Sequence, residues 1–198
     1  MQLIHYNSTQ KFPAPSAITV GSFDGVHLGH RFLLQQMNDF ARQNYYKTVV
    51  VTFDPHPQEI LQTQPNFFLI NTFEQKITLL EKSGVDAVFI IPFSKEFSKK
   101  HAAEFLEGDI LSRINMRAAF LGPNHHFGTK REGDVHTLTS LCEERNIKTI
   151  MTKEFKMDDT KIRSTIIREY LARNDWQNAE KFLGHKTYVC PVQYCRHL

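Results

Sequence analysis

The chain has 198 residues, 24 Lys and Arg against 21 Asp and Glu, and a formal charge of +3 with histidine neutral. With 41% hydrophobic and 23% charged residues it falls outside the disordered, collagen-like and membrane classes, and its length suits one domain of roughly 100–200 residues. No stretch approaches the ~20 apolar residues of a membrane span, the start has no leader pattern, and the charge forms no basic stripe for nucleic acid.

A cytoplasmic enzyme or binding protein is therefore the default expectation. Cys142, Cys190 and Cys195 are an odd set with no CxxC pair, which argues against a disulfide framework and a zinc ribbon. Cys190, Cys195 and His197 offer three metal ligands, one short of a closed tetrahedral site.

In chain order, residues 1–15 are expected to be peripheral, and Ala17–Val20 is the first run that reads as a buried strand. Phe32, Leu33, Gln36, Met37 and Phe40 then share one helical face. Thr48–Phe53 is a second strand, Phe73, Ile77 and Leu80 mark a second helix, and Ala87–Ile91, Ala118–Leu121 and Lys148–Met151 are three further strands. Residues 186–198 read as a tail. Strand and helix in steady alternation imply right-handed crossovers and a parallel sheet covered on both faces, an α/β fold. Its ligand site would lie beyond the carboxyl ends of the strands, where four loops are unusual: Gly21–His30, Asp54–Pro57, Gly122–Gly128 and Lys156–Ser164.

In the first loop Gly21, Gly25 and Gly29 permit tight turns and close approach of a ligand, and His27 and His30 flank the start of the first helix. A helix opening there aims N–H groups and its positive dipole end at an anion, so two imidazoles beside it form a candidate phosphate clamp. Neither G-x-G-x-x-G nor GxxxxGK[ST] is present, which argues against a dinucleotide dehydrogenase and a P-loop kinase. Spacing alone leaves open a Gly-rich turn with capping or solvated histidines. Pro55 and Pro57 stiffen the second loop, as a binding wall or simply a rigid strand exit. The adjacent His125 and His126 would point apart in an extended segment and so could not grip one ion together. In Ile162–Arg168, Ser164 and Thr165 are placed to cap a helix with hydroxyls toward a phosphate, and Arg168 to reach the same anion; a plain N-cap with a solvated arginine is the alternative.

His27-Leu28-Gly29-His30 resembles the HxGH element of the nucleotidylyltransferase superfamily, and the string Gly21–His30 resembles that of bacterial FAD synthetases (FMN adenylyltransferases). Thr52–Pro57, Gly122–Gly128 with Arg131, Gly133 and Asp134, and Ile162–Arg168 resemble the same family in the same order. The resemblance implies a Rossmann-like HxGH fold with a mainly parallel sheet, and the reaction ATP + FMN → FAD + pyrophosphate with Mg²⁺ accompanying ATP. It implies an ATP site of Gly21, Phe23, Asp24, His27, Gly29, His30, Ser164, Thr165 and Arg168, with His27, His30 and Arg168 catalytic. Pro55, His56, Pro57, Leu61, Phe105, Asn124, Phe127 and Arg131 would form the flavin side, although Phe105, within His101–Leu106, reads equally as ordinary helix core. Two departures stand out: His125 replaces an aromatic Phe, and Arg163 replaces a Ser. Leu171–Gly184 resembles the family's closing helical segment, so 1–185 is expected to be the adenylyltransferase domain and 186–198 a tail, without the riboflavin kinase domain usual in the family. The expected partners are the small molecules ATP and FMN, with neither nucleic acid nor membrane. Two alternatives are a non-catalytic flavin or nucleotide sensor on the same fold, and an HxGH transferase for another phosphorylated acceptor.

Overall fold

A computed structural model describes residues 1–122 and 135–187, the side chains of 135–137 excepted. The chain runs β1 (Gln2–His5), β2 (Phe12–Val20), α1 (Leu28–Gln43), β3 (Lys47–Phe53), α2 (Pro57–Leu61), α3 (Phe73–Lys82) and β4 (Ala87–Ile91). After a 3₁₀ turn, α4 (Ala102–Glu104) continues as a π-helical stretch (Phe105–Leu111) into β5 (Ile114–Leu121), α5 (Val135–Glu143) and β6 (Lys148–Met151). The short antiparallel pair β7 (Lys156–Met157) and β8 (Thr160–Lys161) precedes α6 (Ser164–Ala172) and α7 (Trp176–Leu183).

Val49, Val50 and Val51 are all fully buried, as a strand covered on both faces requires. On one face Leu34, Met37 and Leu80 of α1 and α3 pack on Val50, Val88 and Phe120. On the other, Phe105, Ile110, Leu138 and Cys142 pack with Val49, Val51, Phe89 and Leu121. The six strands lie in the order β1-β4-β3-β2-β5-β6, every neighbouring pair parallel. The chain builds outward from β2 through β3 to β4, then returns to β2's other side with β5. The crevice between the carboxyl ends of β2 and β5 is therefore the topological switch point, where such sheets bind ligands. A third, smaller cluster joins Ile167, Leu171, Phe182 and Leu183 of α6 and α7 to Ile70 and Ile162, holding both helices against the segment before α3.

The expectation that residues 1–15 are peripheral is corrected. Gln2–His5 pairs with β4 as an edge strand and buries Ile4, and β2 begins at Phe12, itself buried. Pro13 and Pro15 are tolerated because the β2 ladder with β3 starts only at Ser16 and the β5 register is irregular before it, so their missing N–H groups break no bond there.

Helix α1 ends in a Schellman motif: Tyr46 N–H bonds Ala41 O at 2.8 Å and Tyr45 N–H bonds Arg42 O at 3.4 Å. The left-handed residue is Tyr45, at φ 57°, with a side chain 94% exposed. A side chain there costs backbone energy and contributes no packing. Tyr45→Gly is accordingly expected to stabilise the fold by about 0.5–1 kcal/mol in urea denaturation; an unchanged or lower midpoint would contradict the motif.

Candidate active site

The loop after β2 is held in a backbone form its sequence would not adopt alone. Phe23, Gly25 and Val26 have φ of 50°, 84° and 37°, the last in a β-branched residue. Such geometry persists only where surroundings over-determine it. Here Phe23 and Val26 are buried, Gly25 N–H bonds Asn71 Oδ1 at 2.6 Å, and His185 Nε2 lies 2.8 Å from Gly25 O. A Cβ on Gly25 would also crowd Ile70 and Leu183, both at 3.1 Å.

The loop delivers His27 to the N-cap of α1, where its Nδ1 accepts the His30 N–H at 3.2 Å. The two imidazoles stack, centroids 3.6 Å apart and planes 13° from parallel, and Phe23 packs on His30 at 4.9 Å. Gly29 has no side chain because a Cβ would stand 3.2 Å from the His27 ring. Since Nδ1 of His27 accepts a hydrogen bond, the neutral ring carries its proton on Nε2 and keeps a donor for a ligand. The His30 Nδ1 is buried without a partner among the described residues.

Arg168 comes to this loop from α6. Its Nη2 forms an ion pair with Asp24 Oδ2, its Nε donates to Phe68 O at 2.7 Å, and its guanidinium lies 4.4 Å over the Phe67 ring. Asp24 Oδ1 accepts the Ile70 N–H at 3.0 Å, and Ser164 Oγ donates to Asp24 O at 2.9 Å. The expectation that Ser164 caps α6 is corrected: Arg163 occupies the N-cap, without a side-chain cap bond, and Ser164 turns its hydroxyl to the first loop instead. Thr165 is exposed beside it. Arg163 points to Glu154, 3.7 Å away.

On the neighbouring strand ends, the Asp54–Pro55 peptide is cis and His56 caps α2, accepting Gln58 N–H at 3.0 Å on Nδ1. The His56 ring stacks on Phe67 at 4.8 Å, so Phe67 touches both His56 and the Arg168 guanidinium. Leu61 is exposed at the end of α2. Phe105 is 6% exposed and packs edge-on against Phe97 at 5.9 Å, within the core. Asn124, Phe127, Arg131, His125 and His126 lie outside the described residues, as do Cys190, Cys195 and His197.

Three contributors escaped sequence reasoning. Lys76, at a polar position of an amphipathic helix, is buried and donates to Phe53 O at 2.9 Å. Asn71 and His185 hold Gly25 from outside the motifs. Phe67 and Phe68, which also hold Arg168, are an aromatic dipeptide whose spacing carries no pointer to it. A polar cavity of about 520 Å³ lies elsewhere, along the Arg31, Asn38 and Arg42 face of α1.

A family model described as FAD synthetase matches residues 9–166. The chain belongs to the FAD synthetase family. It is 31% identical over 186 residues to a bifunctional riboflavin kinase/FMN adenylyltransferase from Buchnera aphidicola subsp. Schizaphis graminum, covering 93% of this chain and 60% of that one. The Escherichia coli protein of the same description is 30% identical over 187 residues with the same coverage, so the chain spans about 60% of these relatives' length. A crystal structure described as a macrolide-efflux protein from Streptococcus pneumoniae superposes with TM-score 0.81 at 25% identity, over 93% of this chain and 60% of that one. Pantothenate synthetase from Thermus thermophilus, at TM-score 0.52 and 14% identity over 92% of this chain and 71% of that one, shares the fold alone. No helix among the described residues is long and apolar enough to cross a membrane.

In this FAD synthetase family member, burial holds the site's imidazoles neutral. It lowers His27 well below the ordinary histidine range, helped by the neighbouring His30, and pulls His30 down to about 3. Burial, with Arg168 and Lys76 adding repulsion, pulls His56 down to about 3 as well. Burial pushes the Asp24 carboxyl up, against the opposing pull of Arg168 and the Ile70 N–H. Unfolding exposes each imidazole, which then takes up a proton near its ordinary pKa of about 6.5. Between that value and about 3 the unfolded state binds more protons, so stability falls as pH falls through the window. From pH 7 to pH 5 each such histidine is expected to remove about 2 kcal/mol of stability. His56→Asn retains a capping acceptor, and its urea midpoint should fall less between the two pH values than that of the unchanged chain; equal falls would mean His56 is not held neutral.

Proposed function

We propose that the chain transfers the adenylyl group of ATP to FMN, giving FAD and pyrophosphate. The observation that carries this reading is the stacked, neutral His27–His30 pair at the N-terminus of α1, beside the switch point, in a chain of the FAD synthetase family. An FMN phosphate oxygen attacks the α-phosphorus in line; the new P–O bond forms as the bond to the β-phosphate bridging oxygen breaks, and that electron pair leaves on pyrophosphate. The protein's part is positioning and charge stabilisation.

The Nε2–H of His27 donates to an α-phosphate oxygen, and His30 meets the same group. An approaching anion raises their affinity for a proton, so charge developing in the transfer draws these donors tighter. The first turn of α1 adds its N–H groups and dipole. Arg168, with Ser164 and Thr165 nearby, meets the β- and γ-phosphates, and Gly21, Phe23, Asp24 and Gly29 form the loop around them. ATP enters with Mg²⁺ as part of the substrate. Both Asp24 oxygens are engaged by Ile70 and Arg168, and ATP would bring the ion on its own phosphates.

The flavin side is the Pro55-His56-Pro57 turn with Leu61, and Phe105 at the end of a chain of edge-to-face rings through Phe97 to Phe53. Asn124, Phe127 and Arg131 complete it by the family pattern. ATP as co-substrate fits a cytoplasmic location.

Chain, FMN, ATP and Mg²⁺ incubated together should yield FAD and pyrophosphate by chromatography; no FAD would end the proposal. His30→Ala is expected to reduce turnover by about 10²-fold or more, the scale of losing a preorganised donor, with FMN fluorescence titration little changed. Normal turnover would remove the phosphate role from the loop. Arg168→Lys should raise the ATP KM, lower kcat, or both, with FMN affinity little altered, because a point charge cannot reproduce the planar fork; unchanged ATP kinetics would make Arg168 purely structural.

A further inference from the structure

Asp24 makes an unusual set of contacts for a residue in a phosphate loop. A carboxylate facing a triphosphate would repel it, yet Asp24 is 4% exposed and both its oxygens turn inward, Oδ1 to the Ile70 N–H and Oδ2 to Arg168. Its main-chain oxygen receives Ser164. One residue thus joins the first loop, the segment before α3 and the first turn of α6, the three stretches that converge on the site. Arg168 is gripped on three sides, by Asp24, the Phe68 carbonyl and the Phe67 ring. With Nε and Nη2 committed, Nη1 is the edge left to meet a phosphate.

We infer that Asp24 is a positioning residue for adenylyl transfer: it acts through Arg168, presenting one edge of the guanidinium to the polyphosphate, rather than by touching the nucleotide. The inference rests on the adenylyl-transfer reading. A long arginine left to itself would find a phosphate in many poses. Fixed by Asp24, it meets the phosphates already oriented, and the rotational freedom is lost on folding rather than in the transition state. The same carboxylate offsets part of the guanidinium charge, so it lowers ground-state attraction for ATP while ordering the arginine for catalysis.

This division gives a signature that a merely structural residue would not. Asp24→Asn keeps the shape and the Ile70 bond but removes the charge that orients Arg168. Its ATP Kd, by calorimetry with Mg²⁺, should be unchanged or tighter, its FMN Kd within about twofold, and its kcat about tenfold or more lower. In an Arg168→Gln background the same substitution should change kcat by less than about twofold, since the arginine it acts through is gone. The inference is overturned if Asp24→Asn weakens ATP and FMN together, leaves kcat unchanged, or lowers kcat as much in the Arg168→Gln background as alone. If Asp24→Asn does not fold by its melting curve, Asp24→Glu, which keeps the charge but shifts the carboxylate by one methylene, replaces it in the cycle with the same expected kcat loss and the same overturning outcomes. Should the unchanged chain make no FAD, the adenylyl-transfer reading itself fails, and with it the inference; FAD from the unchanged chain with an additive cycle fails the inference alone.

Discussion

A carboxylate taken out of water must be met by a cation or by hydrogen-bond donors, and Asp24 is met by both. The constraint runs through the whole site. Ile70 must offer its N–H, so the segment before α3 is drawn under the loop, and Arg168 must reach inward, so α6 lies across it. The cluster of Ile70, Ile162, Ile167, Leu171 and Leu183 supplies the apolar support for that arrangement. Removing either charge would leave the other buried alone, which costs more than the pair contributes.

The histidine pair depends on this frame in turn. Positive φ at Phe23, Gly25 and Val26 sets the angle at which the chain enters α1, and that entry angle stacks His27 on His30. The buried, neutral imidazoles keep hydrogen-bonding capacity without carrying a permanent charge. Their desolvation lowers stability in acid, a local weakness built into this end of α1.

The α/β class, the five principal strands and the HxGH loop were legible because hydrophobic runs and glycine spacing are local signals. Ala87–Ile91 and Lys148–Met151 match their expected bounds. What escaped notice was decided by distant partners. Gln2–His5 is too short and polar to announce a strand, and only β4 beside it makes it one. Phe12–Pro15 carries two prolines whose tolerance depends on where a neighbour's ladder begins. Ser164 has the chemistry of a cap, and the nearby Asp24 carbonyl redirects it. The Asp24–Arg168 pair leaves no periodicity at all, since its members are 144 positions apart.

That separation bears on how the molecule comes together. A contact closing so long a loop is slow to find and is rewarded only after the intervening sheet has formed. The order of assembly follows: β2, β3, β4 and β5 can pair first, whereas the strained turn at Phe23–Val26 has no reason to hold its shape until α6 and α7 dock and Arg168, His185 and Leu183 arrive. On a ribosome the loop after β2 is synthesised before α6 and α7, and it is ordered only once they have docked on it. A chain made only as far as β6 therefore holds the HxGH residues without the contacts that fix their geometry.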